Sequence, residues 1–194
     1  MPQDSSPQLK RSNGSSSKAG GSSGANKTSK PAKSRGATEA VNALQLLQAD
    51  HREVDGLFEA FERAIGVSQQ RDIAVSICVA LKVHARLEEE LFYPAIWPAL
   101  DDQSLIAEAM VEHASALDLI AQIESGAPGE AFFSARVRVL SEYVRHHVEE
   151  EEEEIFPQVR KGKQDLAALG ELLAQRKVEL MTGFAVSNPV LALS

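Results

Sequence analysis

Two stretches of this chain, HARLEEELFYPAI at residues 84–96 and HVEEEEEEIFPQV at 147–159, align without a gap. Each opens on histidine, places glutamate four residues later, and reaches an aromatic residue followed by proline, with ten residues from histidine to proline. Upstream of each lies a second matching pair, QADHREVDGLFEAFE at 48–62 and MVEHASALDLIAQIE at 110–124. His51 and His113 are 62 residues apart, and His84 and His147 are 63 apart. The chain therefore reads as two copies of one helix hairpin.

The surrounding periodicity agrees. From Thr38 onward, Leu44, Leu47, His51, Val54, Phe58 and Phe61 recur at three and four residues, which is one face of a helix closed by Gly66 and Val67-Ser68. A second helix is predicted over about Gln69–Tyr93, with Ile77, Leu81, His84, Glu88 and Leu91 on its stripe. Pro94 has no backbone donor and should stop or kink it. Asp101, Asp102 and Ser104 offer N-caps for a third helix over roughly 103–125, with Ile106, Met110, His113, Leu117 and Ile120 facing inward. After the Gly126-Ala127-Pro128-Gly129 break, a fourth helix should run from Glu130 to Phe156, ending at Pro157. Its stripe is Val137, Leu140, Val144, His147, Glu151 and Ile155. A shorter amphipathic helix, about Asp165–Met181, precedes an apolar tail; it could cover one end of the bundle or mediate a dimer. The expected fold is all-α: an up-down-up-down four-helix bundle over 38–160, with the short extra helix in 161–194.

Residues i and i+4 of a helix share a face, so His84 and Glu88 point one way, as do His147 and Glu151. All six of His51, His84, Glu88, His113, His147 and Glu151 fall in the apolar stripes. A buried carboxylate without a partner is costly. Two of them among four imidazoles are most simply explained as cation ligands, a donor set that suits iron, manganese or zinc. Taken singly, any one H-x-x-x-E means little; the duplication carries the inference. The competing reading is an interaction bundle whose histidines only pack. His146 and Glu150 lie in the outer register, and most of the run Glu149–Glu154 reads as a solvated face. Glu89 and Glu152 are candidates for partners behind the ligands. Tyr143 reads as a packing residue or a donor to the pocket, Asp55 as an orienter of His51 or a surface carboxylate, and Cys78 as a small buried hydrophobe.

Composition narrows the rest. One cysteine permits no intramolecular disulfide and no cysteine-based zinc site. The net charge of −8 is unevenly spread: seven lysines and arginines face Asp4 alone in residues 1–36, giving +6 there and −14 over the remaining 158. That first segment, rich in Ser, Gly and Lys, has almost nothing to bury and is expected to be a disordered tail, or else a tether for a partner. It lacks the aliphatic residues of an amphipathic targeting helix and the aromatics of a single-strand binder. An acidic body disfavours nucleic acid and attracts cations. No run approaches the ~18 apolar residues of a membrane span, so a cytoplasmic protein is the simplest expectation.

The motifs DHREVDGLFEAFE, HARLEEELFYPAI, EHASALDLI and HVEEEEEEIFP resemble the hemerythrin-like HHE cation-binding family, over roughly residues 40–160. The resemblance implies a four-helix bundle with an oxo- or hydroxo-bridged non-heme di-iron centre. It would make His51, His84, His113 and His147 terminal ligands, and Glu88 and Glu151 bridges. Oxygen-carrying members have a further histidine one turn after the third-helix ligand; here that position is Leu117. This departs from simple oxygen storage. The function implied is binding or sensing of dioxygen, nitric oxide, iron or oxidative stress. The alternative is a redox enzyme with peroxidase-, catalase- or ferroxidase-like activity, but no separate acid–base or nucleophilic constellation supports elaborate substrate chemistry.

Overall fold

The computed structural model describes residues 42–187. The basic segment 1–36 and the extreme C-terminus lie outside the described residues. Among those described, all regular structure is helical: α1 (Ala43–Arg63), α2 (Val67–Leu87), α3 (Tyr93–Ile96), α4 (Ser104–Ser125), α5 (Ala131–Glu150), α6 (Phe156–Lys161) and α7 (Leu166–Ser187). α1 packs on α2 and α5, and α4 packs on α5 and α2, so these four close a ring.

Local chemistry sets the ends. Asn42 and Gln45 cap α1 reciprocally, each side chain accepting the other's backbone N–H at 3.0 Å. Gly66, at φ 104°, turns the chain into α2. That backbone conformation penalises any Cβ, and the turn is shorter than the periodicity suggests, because Val67 and Ser68 already belong to α2. Asp102 accepts the Ser104 N–H at 2.9 Å at the start of α4.

Neither Pro94 nor Pro157 stops its helix. Each comes after a single π turn, Glu88–Phe92 and Glu151–Ile155, that joins α2 to α3 and α5 to α6. In these turns Tyr93 donates its N–H to the Glu88 carbonyl, and Phe156 to that of Glu151. Proline removes one α-type donor and crowds the carbonyl four residues back; widening the preceding turn by one residue accommodates both. The π turn also changes the rotational phase of the residues at its end, leaving Leu91 only half-buried and swinging Tyr93 inward.

The core is two clusters with a polar layer between them. One gathers Leu44, Leu47, Leu87, Phe92, Tyr93, Ile96 and Phe156; the other gathers Val54, Phe58, Phe61, Leu81, Ile120, Phe133 and Leu140. His51, His84, His113 and His147 sit at the boundary, one from each ring helix. The inward stripe of α4 differs from expectation: Met110 and Leu117 are substantially exposed, and Ala109 and Ile123 are buried in their stead with Ile106, His113 and Ile120. Cys78 is a buried thiol, with burial pushing its pKa up to about 12.

α7 is a full-length helix of 22 residues rather than a short appendage. It lies along α1 and α2, placing Leu169, Leu173 and Leu180 in the first cluster. None of the described helices is long and apolar enough to cross a membrane.

Candidate metal centre

The two hairpins build two matching halves. On one side the Nε2 atoms of His51 and His84 lie 3.1 Å apart; on the other, those of His113 and His147 lie 3.2 Å apart. Glu88 reaches both pairs, with Oε1 3.1 Å from His84 Nε2 and Oε2 3.3 Å from His113 Nε2. Glu151 mirrors it, its Oε2 lying 3.4 Å from His51 Nε2 and 3.9 Å from His147 Nε2. All six side chains are buried, Glu88 completely. The donor atoms fall into two sets, His51–His84–Glu88–Glu151 and Glu88–His113–His147, each within 4.8 Å.

The residues fit a metal pair. Two nitrogens each about 2.1 Å from one ion, at right angles, stand about 3 Å apart, close to the spacing of both imidazole pairs. Despite their short approach to imidazole nitrogens, both Glu88 oxygens and Glu151 Oε2 lack hydrogen-bond geometry. Buried carboxylate oxygens are rarely left so, and a shared cation satisfies them.

Behind each imidazole stands a second carboxylate, again in matched positions. His51 Nδ1 meets Glu152 Oε1 at 2.8 Å, and His113 Nδ1 meets Glu89 Oε1 at 3.0 Å. His147 Nδ1 meets Glu112 Oε2 at 2.8 Å, while His84 Nδ1 has Asp50 Oδ2 at 3.8 Å. The three hydrogen-bonded partners hold the Nδ1–H tautomer and turn Nε2 inward, whereas His84 Nδ1 has no hydrogen-bond partner. Glu89 and Glu152, adjacent to the ligands in sequence, therefore serve the opposite hairpin's histidine. Asp50 and Glu112 escaped the sequence reading, although an acid directly before the first histidine of each copy was a usable signal. Asp55 pairs with Arg145 at 2.8 Å on the surface and does not orient His51.

Electrostatics reflect this crowding. Burial works against a charged His84, yet the carboxylates of Glu88, Asp50 and Glu151 together outweigh it and lift its pKa to about 10. His113 is raised in the same way, by Glu88 and Glu89 against burial. Burial would raise Glu88, but His84 and His113 hold it well below the usual carboxylate range. Asp50 is likewise lowered against burial, by His84 and Lys177.

Below the layer, Phe156 stacks on His51 with centroids 6.0 Å apart, and Tyr93 stacks on His113 at 5.8 Å. Tyr93 and Phe156 are equivalent in the two copies, but only Tyr93 has a hydroxyl, which donates to Glu151 Oε1 at 3.0 Å. Burial, first of all, pushes its pKa well up, so the phenol stays protonated. On an α-helix Tyr93 would point about 140° away from Glu88; the π turn brings it under the site, which hid it from periodicity. Tyr93→Phe reproduces the other copy's ring. It is expected to cost about 1 kcal/mol in denaturant unfolding, leave metal content intact, and shift the absorption of the loaded centre.

Above the layer is a cavity of about 40 Å³. The four histidines floor it; Val54, Leu81, Leu117, Ile120 and Val144 wall it, and Tyr143 stands half-exposed at its edge. His146 faces outward, 3.4 Å from Glu150.

A profile of the hemerythrin HHE cation binding domain matches residues 42–159. The chain is similar to a DNA nickase from Nostoc sp. (strain PCC 7120 / SAG 25.82 / UTEX 2576), with 28% identity over 120 residues, covering 62% of this chain and 34% of that protein. It thus spans about a third of that relative's length. Its fold is like that of a hemerythrin HHE cation binding domain-containing protein, the Rv2633c homolog from Mycobacterium kansasii. That likeness has a TM-score of 0.66 at 24% identity and covers 76% of this chain and 93% of the other.

Proposed function

This chain belongs to the hemerythrin HHE cation binding domain family, and on that footing we propose that its buried polar layer is a non-heme di-iron centre that binds dioxygen, nitric oxide or peroxide. His51 and His84 would hold one iron and His113 and His147 the other, with Glu88 and Glu151 supplying the carboxylate ligands. We read the helix ring around them as an up-down-up-down bundle, with α7 laid along α1 and α2. The observation that carries this reading is the placement of Glu88, whose two unbonded oxygens each approach a different imidazole pair. Manganese or zinc are accepted by the same donor types.

Bound iron supplies open coordination and a one-electron redox change. The chain's own residues decide what reaches it. The cavity lies on the face away from the two carboxylates and is sized for a molecule of a few atoms. Its small volume excludes larger organic substrates. Leu117 occupies the cavity wall and offers no donor. Glu152, Glu89 and Glu112 hold His51, His113 and His147 from behind, so three of the four imidazoles are oriented before any ligand arrives. These features favour a binder or sensor over a transformer of complex substrates. Action on DNA forms no part of the proposal, since the body beyond residue 36 carries −14 and repels phosphate.

The test is to load the metal-free protein anaerobically with ferrous iron, measure metal content, and record absorption on adding each ligand. About two irons per chain are expected, with spectral changes that reverse when dioxygen or nitric oxide is removed. Sustained catalytic loss of peroxide would move the assignment to a di-iron redox enzyme. Failure to hold stoichiometric metal would leave the interaction bundle as the better reading.

A further inference from the structure

The duplication makes each half of the molecule a control for the other. Asp50, Val83 and Leu87 of the first copy correspond to Glu112, His146 and Glu150 of the second. In the first half these positions lie beside α7: Val83 and Leu87 are buried in the cluster that contains Leu169 and Leu173. Asp50 there faces two ways, towards His84 Nδ1 and towards a cation, the Lys177 ammonium, at 2.6 Å.

The second half has no such cover among the described residues, and its corresponding side chains have changed character. His146 is 62% exposed and Glu150 39%, and they form a third H-x-x-x-E pair, with Nε2 3.4 Å from Oε1. Glu112 approaches both, so that one donor atom from each of the three residues lies within 4.8 Å of the others. Like Asp50, Glu112 backs a histidine of the inner layer, bonding His147 Nδ1 at 2.8 Å. Where Asp50 has an ammonium, Glu112 has an imidazole and a carboxylate. Glu112 and Glu150 border an open concavity of about 510 Å³ whose lining adds Glu108 and Ser104. Its acidity concentrates cations.

We propose that Glu112, His146 and Glu150 form a third, surface site for a divalent cation, and that the His113–His147 position is loaded through it. The site occupies the place that Lys177 fills in the other half. One imidazole and two carboxylates suit ferrous iron, manganese or zinc, and exposure leaves the remaining coordination to water, so binding is weak and exchange fast. The site itself stands on its own geometry; its role in loading rests on the two-metal reading of the inner layer.

Cobalt(II) is the probe, with equilibrium dialysis for the number bound and stopped-flow absorption for the rate. Wild type, His146→Ala/Glu150→Gln and Glu88→Ala/Glu151→Ala are compared, with circular dichroism confirming equal helix content. Wild type should bind two equivalents tightly and a third weakly. The surface variant should lose the weak equivalent, keep the tight pair, and load more slowly than wild type. The inner variant should keep only the weak equivalent. A wild type that binds no weak equivalent, or a surface variant that retains it, overturns the surface site. A surface variant that loses it but loads at the wild-type rate overturns the loading role. If wild type binds only the weak equivalent and the surface variant loses it, the surface site stands while the inner two-metal reading falls.

Discussion

Glu88→Ala/Glu151→Ala is expected to abolish metal retention in the inner layer while changing the stability of the metal-free protein by no more than about 2 kcal/mol. The two parts have opposite origins. On the proposed two-metal reading, these carboxylates would each be shared between the two ions. Removing an outer partner alone lowers affinity about 10–100-fold, so removing both carboxylates should leave no tightly held metal in the inner layer. In the metal-free protein both glutamates are buried and three of their four oxygens lack a hydrogen bond. Deleting an unsatisfied buried group returns about 1–3 kcal/mol, which offsets much of the cavity each alanine leaves. If the layer never held metal, the substitutions would change stability equally with and without ferrous iron. Thermal denaturation with and without ferrous iron separates the two cases.

The same pair predicts a pH signature. His84 rises from an ordinary 6.5 to about 10 in the folded chain. Its contribution to metal-free stability is therefore complete below 6.5 and lost as pH rises through about 10. Glu88 moves the other way, so its contribution is present above its ordinary 4.5 and lost as pH falls towards its lowered value. A metal must displace the proton on His84. Iron affinity should thus fall as pH falls from about 10, with proton release detectable by calorimetry in buffers of different ionisation enthalpy.

Leu173→Asp is expected to be the most damaging substitution away from the metal layer. Leu173 is fully buried, packed in the cluster with Ala43, Leu44, Leu47, Val83 and Leu87. Truncation to alanine alone should cost about 2–5 kcal/mol, a large part of a typical domain stability of about 5–15 kcal/mol. A carboxylate there adds its own burial penalty and should release α7, exposing the α1–α2 face to limited proteolysis. Arg176→Ala is the contrast. Its bond to Glu90 at 2.8 Å is exposed, so solvent screens it and its loss should leave stability almost unchanged. Equal, small effects from both substitutions would mean that α7 is a dispensable surface helix.

What the chain alone determined was everything that local geometry can encode. The i, i+4 spacing puts His84 over Glu88 and His147 over Glu151 whatever surrounds them, and the α1 stripe from Leu44 to Phe61 is buried along its whole length. Repetition then made the two halves legible, because a pattern that recurs after 62 or 63 residues announces one hairpin built twice. Tertiary structure decided what lay beyond a single helix. Glu152 serves His51 across 101 residues of sequence, and Lys177 reaches Asp50 across 127; no periodicity relates such partners, since only packing brings them together. Tyr93 was hidden for a different reason: the π turn before Pro94 changes the angular step on which helical phase depends. The length and seat of α7 were hidden because its apolar residues, spread around much of the helix, name no single face until α1 and α2 provide one.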